Sequence, residues 1–229
     1  MLNPVVADMN HNNPVDFAKF AAAGGVGVIH KATQGSFVDP AYAKRREAAL
    51  AAGLQWGGYD FNTGDPVKDQ VTRFVQTAQP DFTTSLWLDF EDNRASQMNL
   101  AQAKEFLDRV DQILGRPCGI YSGNRAKELM EYANDVYISF FAAHPLWLCQ
   151  YKIVRGDIDI EALSKIVTVP KPWTEKGWFL LQYTGDGIGP PPHTMPGLEN
   201  GADLNVFGGT PDELRAAWSL APVATPVTA

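Results

Sequence analysis

Short apolar, β-rich runs alternate along the chain with stretches whose apolar residues recur at helical spacing. The runs Val5–Met9, Gly27–Thr33, Gln55–Phe61 and Leu86–Glu91 predict strands. Between them, Val15–Ala23, Ala41–Ala52 and Val67–Gln79 predict helices. Gly24–Gly25 and Gly53 follow these helices, where a residue free to turn left-handed closes the last turn. Asn99 is placed to cap a fourth helix, Leu100–Leu114, which Gly115 ends. A strand at Cys118–Ser122 and a helix at Arg125–Tyr132 follow. Then the pattern changes. Leu146–Tyr151, Trp178–Tyr183 and Ala202–Val206 read as strands, with no comparable long helix between the last two. A final helix, Pro211–Leu220, is expected on the outside. Alternation of this kind marks parallel strands joined by crossover helices. The expected fold is α/β, an irregular TIM-like (β/α) barrel of eight strands with about five helices over residues 1–220.

The segment Thr184–Gly201 is rich in Gly and Pro and carries Pro190–Pro191–Pro192. It is either a functional loop or a rigid surface excursion. Residues 221–229, rich in Pro, Thr, Val and Ala, read as a tail or the start of a linker.

Composition narrows the function. At 229 residues and 45% hydrophobic, the chain can bury a substantial core. Its net charge of -7 argues against nucleic-acid binding, which needs a basic face, and against a polybasic membrane anchor. No run reaches the ~18 apolar residues of a membrane span, so no membrane insertion is expected. Met1–Asn10 lacks the charged and apolar regions of a secretion signal. Cys118 and Cys149 sit in apolar runs and read as buried thiols. There is no CxxC, no Cys/His cluster, no G-x-S-x-G elbow and no P-loop, so neither a metal nor a cofactor is expected.

Four acids stand at ends of predicted strands: Asp8, Asp89, Glu91 and Asp203. The ends of barrel strands form the active-site face. Asp89 and Glu91 lie in Leu-Asp-Phe-Glu; two residues apart on a strand, they share a side with a rise of roughly 6.6 Å between them. Two carboxyls that close in a low-dielectric cleft cannot both ionise freely, which leaves a proton donor beside an anion. Glycoside hydrolysis uses such a pair. A solvated or structural D-x-E and a divalent-cation site are the alternatives. Aromatics at strands suit stacking on sugars. Among them Tyr59, Tyr121 and Tyr183 are assigned to a cleft and Trp87 to the core, with Trp147 and Tyr151 left between the two. His30 reads as a satisfied, partly buried residue, and His11, His144 and His193 carry little signal.

Six short motifs in order resemble glycoside hydrolase family 25, the Chalaropsis-type lysozymes, over about Val5 to Phe207. Val-Ala-Asp-Met-Asn resembles the opening strand, with Asp8. Val-Ile-His-Lys-Ala-Thr-Gln-Gly resembles the second, with Lys31. Gly-Gly-Tyr-Asp-Phe resembles the third, around Tyr59 and Asp60. Leu-Asp-Phe-Glu, Leu-Gln-Tyr-Thr around Gln182 and Tyr183, and Ala-Asp-Leu-Asn-Val-Phe complete the set. The resemblance implies cleavage of the β-1,4 bond between N-acetylmuramic acid and N-acetylglucosamine in bacterial peptidoglycan glycan strands. It implies Glu91 as general acid, with Asp89, Asp8 and Asp203 as anionic partners. It implies retention of configuration through the substrate's own N-acetyl group, with Asp89 holding the acetamide. Lys31, Tyr59, Asp60, Tyr121, Gln182 and Tyr183 are the expected substrate-binding residues.

The chain departs from the family where it has Met-Asn for Ile-Ser, Gln34 for Glu, Asp60 for a His after the Tyr, and Leu181 for a Trp. Asp60 is expected to add charge near the cleft and either raise Glu91 or alter which glycan is accepted. The competing readings are a chitinase-like or endo-N-acetylglucosaminidase barrel and a glycan-binding barrel without turnover. A monomer is expected, made in the cytoplasm and reaching the wall by holin-type release or dedicated secretion.

Overall fold

A computed structural model describes residues 5–93, 96–151, 165–199 and 201–220. The tail at 221–229 lies outside them. The strands are β1 (Val5–Met9), β2 (Gly25–Gln34), β3 (Phe37–Val38), β4 (Gln55–Phe61), β5 (Ser85–Asp89), β6 (Gly119–Ser122), β7 (Leu146–Cys149), β8 (Leu180–Thr184) and β9 (Asp203–Val206). Their order is β1-β9-β8-β7-β6-β5-β4-β2-β3, and β1 also pairs with β2, which closes all but β3 into a barrel. Every neighbouring pair from β1–β2 around to β7–β8 is parallel, whereas β9 is antiparallel to both β8 and β1. The barrel is therefore mixed rather than all-parallel.

Seven α-helices fall among the described residues: α1 (Phe17–Ala22), α2 (Tyr42–Ala51), α3 (Val67–Ala78), α4 (Leu100–Leu114), α5 (Asn124–Glu131), α6 (Asp135–Phe141) and α7 (Pro211–Ala217). The α4 boundaries match the sequence reading because the local chemistry is complete. Asn99 and Gln102 form a reciprocal capping box, and Gly115 takes the left-handed conformation at φ 67°. α6 was not anticipated. It is a seven-residue helix capped by Asn134, too short to show a helical period.

Alternation along the strands sorts the side chains into two cores. Outward residues such as Leu86, Leu88, Phe90 and Ile120 pack against Phe74, Phe106 and Leu107 of the helices. Inward residues Val6, Ile29, Tyr59, Trp87, Tyr121 and Trp147 fill the lumen. Trp87 fits there because its neighbour on β6 is a glycine: a Cβ on Gly119 would lie 2.2 Å from the Trp87 ring. α7 was expected on the outside, yet Leu214 and Trp218 join the lumen cluster, and the Trp218 indole donates to Trp56 O at 2.8 Å. The helix stoppers the barrel end opposite the carboxylates, since its apolar stripe finds lumen side chains rather than an outer groove.

Candidate active site

The four acids converge, but not for the reason the sequence suggested. Asp8, Asp89 and Glu91 lie at or just beyond the C-terminal ends of β1 and β5. Asp203 is the first residue of β9 and reaches the same face because that strand runs backwards, paired directly with Asp8. In an all-parallel barrel Asp203 would sit at the opposite end.

Asp8 is held by amides. Its Oδ2 accepts from Gln182 Nε2 at 2.9 Å and Asn205 Nδ2 at 2.8 Å. Gln182 Oε1 in turn accepts from the Tyr121 and Tyr151 hydroxyls at 2.7 and 2.9 Å. Asn205 Oδ1 accepts from the Trp147 indole at 2.5 Å. Burial pushes the Asp8 carboxyl up to about 6, with the two amides opposing it. Gly185 completes this wall, because a Cβ there would lie 2.4 Å from both Asp203 Oδ1 and the Tyr151 hydroxyl. Burial first, then the Asp8 charge, raises Asp203 to about 8.

Across the lumen, Asp89 has no such support. Its Oδ1 is buried without a hydrogen-bond partner. Burial, reinforced by the Glu91 charge, holds the Asp89 carboxyl well above its ordinary range, and Lys31 pulls the other way. Glu91 is half-buried and raised by burial and then by Asp8, again against Lys31. Lys31 donates to Gln34 Oε1 at 3.0 Å, and its ammonium lies 4.8 Å from the Phe61 ring centre and 5.8 Å from that of Tyr59. The turn carrying both acids is clamped by buried Asn62, whose amide donates to Asp89 O at 3.0 Å and Glu91 O at 2.9 Å and accepts from Met98 N–H at 3.0 Å.

Depressions open on both sides of this cluster. One of about 580 Å3 is bounded by Lys31, Phe37 and Asn93. The other, about 640 Å3, is bounded by Glu91, Tyr151 and Ile188. Ile188 belongs to the Gly/Pro-rich loop, which thus borders the site. Such a groove suits a chain passing over the acids.

The sequence model described as Glycosyl hydrolases family 25 matches residues 8–190. The chain belongs to this family. The barrel superimposes on a bacterial lysozyme from Streptomyces coelicolor with a TM-score of 0.75 at 20% identity, covering 96% of this chain and 98% of that one. A muramidase from Trichobolus zukalii gives 0.72 at 23% identity, covering 94% and 98%. Protein YegX of Escherichia coli O157:H7 is 26% identical over 193 residues, and the chain spans 60% of that relative's length.

Several sites proposed from sequence need correction in this family 25 barrel. Asp60 does not enter the cleft. Tyr59 points into the lumen, so Asp60 points out, fully buried behind β4 with Thr33 Oγ1 donating to its Oδ1. Burial raises it to about 8, and it adds only a minor push to Asp89 rather than acting on Glu91. Tyr183 also faces outward by alternation with Gln182. It lies in the outer core and donates to Pro192 O at 3.2 Å. Tyr59 and Tyr121 do face the lumen but are 8% and 7% exposed, forming its floor more than its rim.

Trp87 is core, as read, and Tyr151 belongs to the cleft. His30 is satisfied between Lys31 O at 2.7 Å and Arg45 Nη1 at 3.1 Å, and burial lowers it to about 4. Both cysteines are free thiols, with Cys118 buried and Cys149 half-buried at the groove. Sequence reasoning missed Asn62 and Asn205. The available signal was an Asn directly after one lumen strand and another inside the closing Asp motif.

Proposed function

We propose that the protein is an N-acetylmuramidase, cutting the β-1,4 bond between N-acetylmuramic acid and N-acetylglucosamine in bacterial peptidoglycan as a monomer. It meets the wall after holin-type release or dedicated secretion. The observation that carries the reading is the pairing of Glu91, a raised carboxyl on the open groove, with Asp89, whose Oδ1 has no partner. Glu91 keeps its proton above the usual carboxylate range and gives it to the departing glycosidic oxygen. Asp89, 7% exposed at the cleft, accepts the N–H of the substrate's 2-acetamido group, which turns the acetamide oxygen toward C1. As the C1–O bond breaks, that oxygen bonds to C1. Water then attacks C1 as the bond from C1 to the acetamide oxygen breaks, its proton returns to Glu91, and configuration is retained. Asp8, fixed by its two amides, places negative charge beside the oxocarbenium-like centre, and Asp203, raised to about 8, stands next to it as a neutral carboxyl. The structural neighbours, a lysozyme and a muramidase among them, agree with this reading.

Digestion of purified peptidoglycan, borohydride reduction and mass spectrometry test it. Reduced N-acetylmuramic acid ends are expected, falling by about 10²–10⁴-fold with Glu91→Gln. Reduced N-acetylglucosamine ends would make it a glucosaminidase, and binding without cleavage would leave a glycan-binding barrel.

A further inference from the structure

His11, in the turn after β1, takes no part in the carboxylate cluster, yet it is built in with care. Its backbone N–H donates to Asp39 Oδ2 at 3.0 Å, and its ring Nδ1 lies 2.9 Å from the same oxygen. The Asp39 side chain is 0% exposed, and its other oxygen accepts from Ala41 N–H at 2.9 Å. Burial opposes the charge, but the hydrogen bonds from Ala41 and His11 hold Asp39 below its ordinary value, so it is an anion that only accepts. Nδ1 therefore carries the proton of that hydrogen bond, and in the Nδ1–H tautomer Nε2 is an acceptor. Arg45 pins the turn, donating to Asn10 O at 2.6 Å and Asn13 O at 2.7 Å.

The His11 side chain remains 35% exposed, and among the described residues its Nε2 has no hydrogen-bond partner. The ring leans on Phe37 at 5.5 Å and 45°, and Phe37 is itself 42% exposed. Both line the 580 Å3 depression, whose other walls include the neutral amides Asn10 and Asn93, and Lys31 joins it to the acids. A fixed acceptor, neutral amides and an exposed ring together suit a pyranose, which has hydroxyls at its edge and an apolar C–H face.

We propose that this depression holds a sugar of the glycan strand remote from the cut, with a hydroxyl or acetamide N–H donating to His11 Nε2 and Phe37 against its apolar face. The proposal rests on the glycan-hydrolase reading above and adds a residue that determines how the strand is held. Asp39 and Arg45 are positioning residues that act through His11.

Glycan fragments sorted by length test it. His11→Ala is expected to raise KM for long strands about tenfold more than for the shortest fragment cleaved, with kcat moving little, as loss of one hydrogen bond would. His11→Gln, which keeps an acceptor, is expected to restore part of the loss, and Asp39→Asn to give a weaker effect of the same kind. Equal losses at every length, or none, would overturn the proposal. Binding provides a separate arm: the Glu91→Gln protein is titrated with the tetramer of N-acetylglucosamine while the His11 ring signals are followed by NMR. Shifts at His11 support the site and their absence rejects it, even if the wild type cleaves nothing and the hydrolase reading itself falls.

Discussion

Asp8, half-buried, and Asp89, buried, are carboxyls on one barrel face, and their surroundings could hardly differ more. Asp8 stands where β1, β9 and β8 meet, and that wall delivers two amide donors to a single oxygen. Asp89 ends β5 among parallel neighbours, with Oδ1 facing no donor. One carboxyl settles at about 6, and the other is pushed well above its ordinary range. Asp89 is the more buried of the two and also feels the Glu91 charge, while only Asp8 has donors: a buried acid with donors can ionise, and one without them holds its proton. The supported wall holds charge in place.

The sharpest way to break this contrast is Asp89→Asn. If Asp89 accepts the acetamide N–H, the amide should lower kcat by about 10²–10³-fold, as loss of a preorganised electrostatic partner does. Steady-state kinetics on soluble glycan fragments measures it, and a variant within twofold of wild type would remove Asp89 from the chemistry.

Gln182→Leu attacks the supported wall. It deprives Asp8 of one donor and leaves the Tyr121 and Tyr151 hydroxyls without their acceptor. Stability should fall by about 1–3 kcal/mol in denaturant unfolding. Asp8 should rise above about 6, so the acid limb of the rate profile should move to higher pH. An unmoved acid limb would show that Asp8 need not ionise.

The effect on stability alone concerns Asp60, a buried acid outside the cleft. Its folded value is about 8 against 3.8 in an ordinary setting, so between these the folded state keeps a proton that the unfolded chain loses. Stability must therefore fall as pH rises through that window, by at most about 1.4 kcal/mol per pH unit from this one group. Asp203 and Asp8 act in the same direction. Asp60→Asn should flatten the decline without abolishing it, and thermal melts from pH 5 to 9 reveal the slope. A slope equal to that of wild type would mean that Asp60 ionises freely.

Strand positions, the α4 caps, Asp89 with Glu91, and the motif order of the family were all legible in the sequence, because each depends on residues near one another in the chain. Capping needs three residues, and strand alternation needs two. The errors have one physical source. A two-residue period says which side chains share a face but not which face is the lumen, and in a barrel wrapped by helices both faces are apolar. Tyr183 and Asp60 share short motifs with Gln182 and Tyr59, and of each adjacent pair only one can face inward: here Gln182 and Tyr59. Only closure of the sheet decided that. Closure also decided the direction of β9, which sets Asp203 against Asp8 and brings Asn205 to the same carboxylate across 197 residues of chain. Local order is written in local sequence; whether a buried acid finds a donor depends on segments far apart in the chain, and their meeting belongs to the tertiary structure alone.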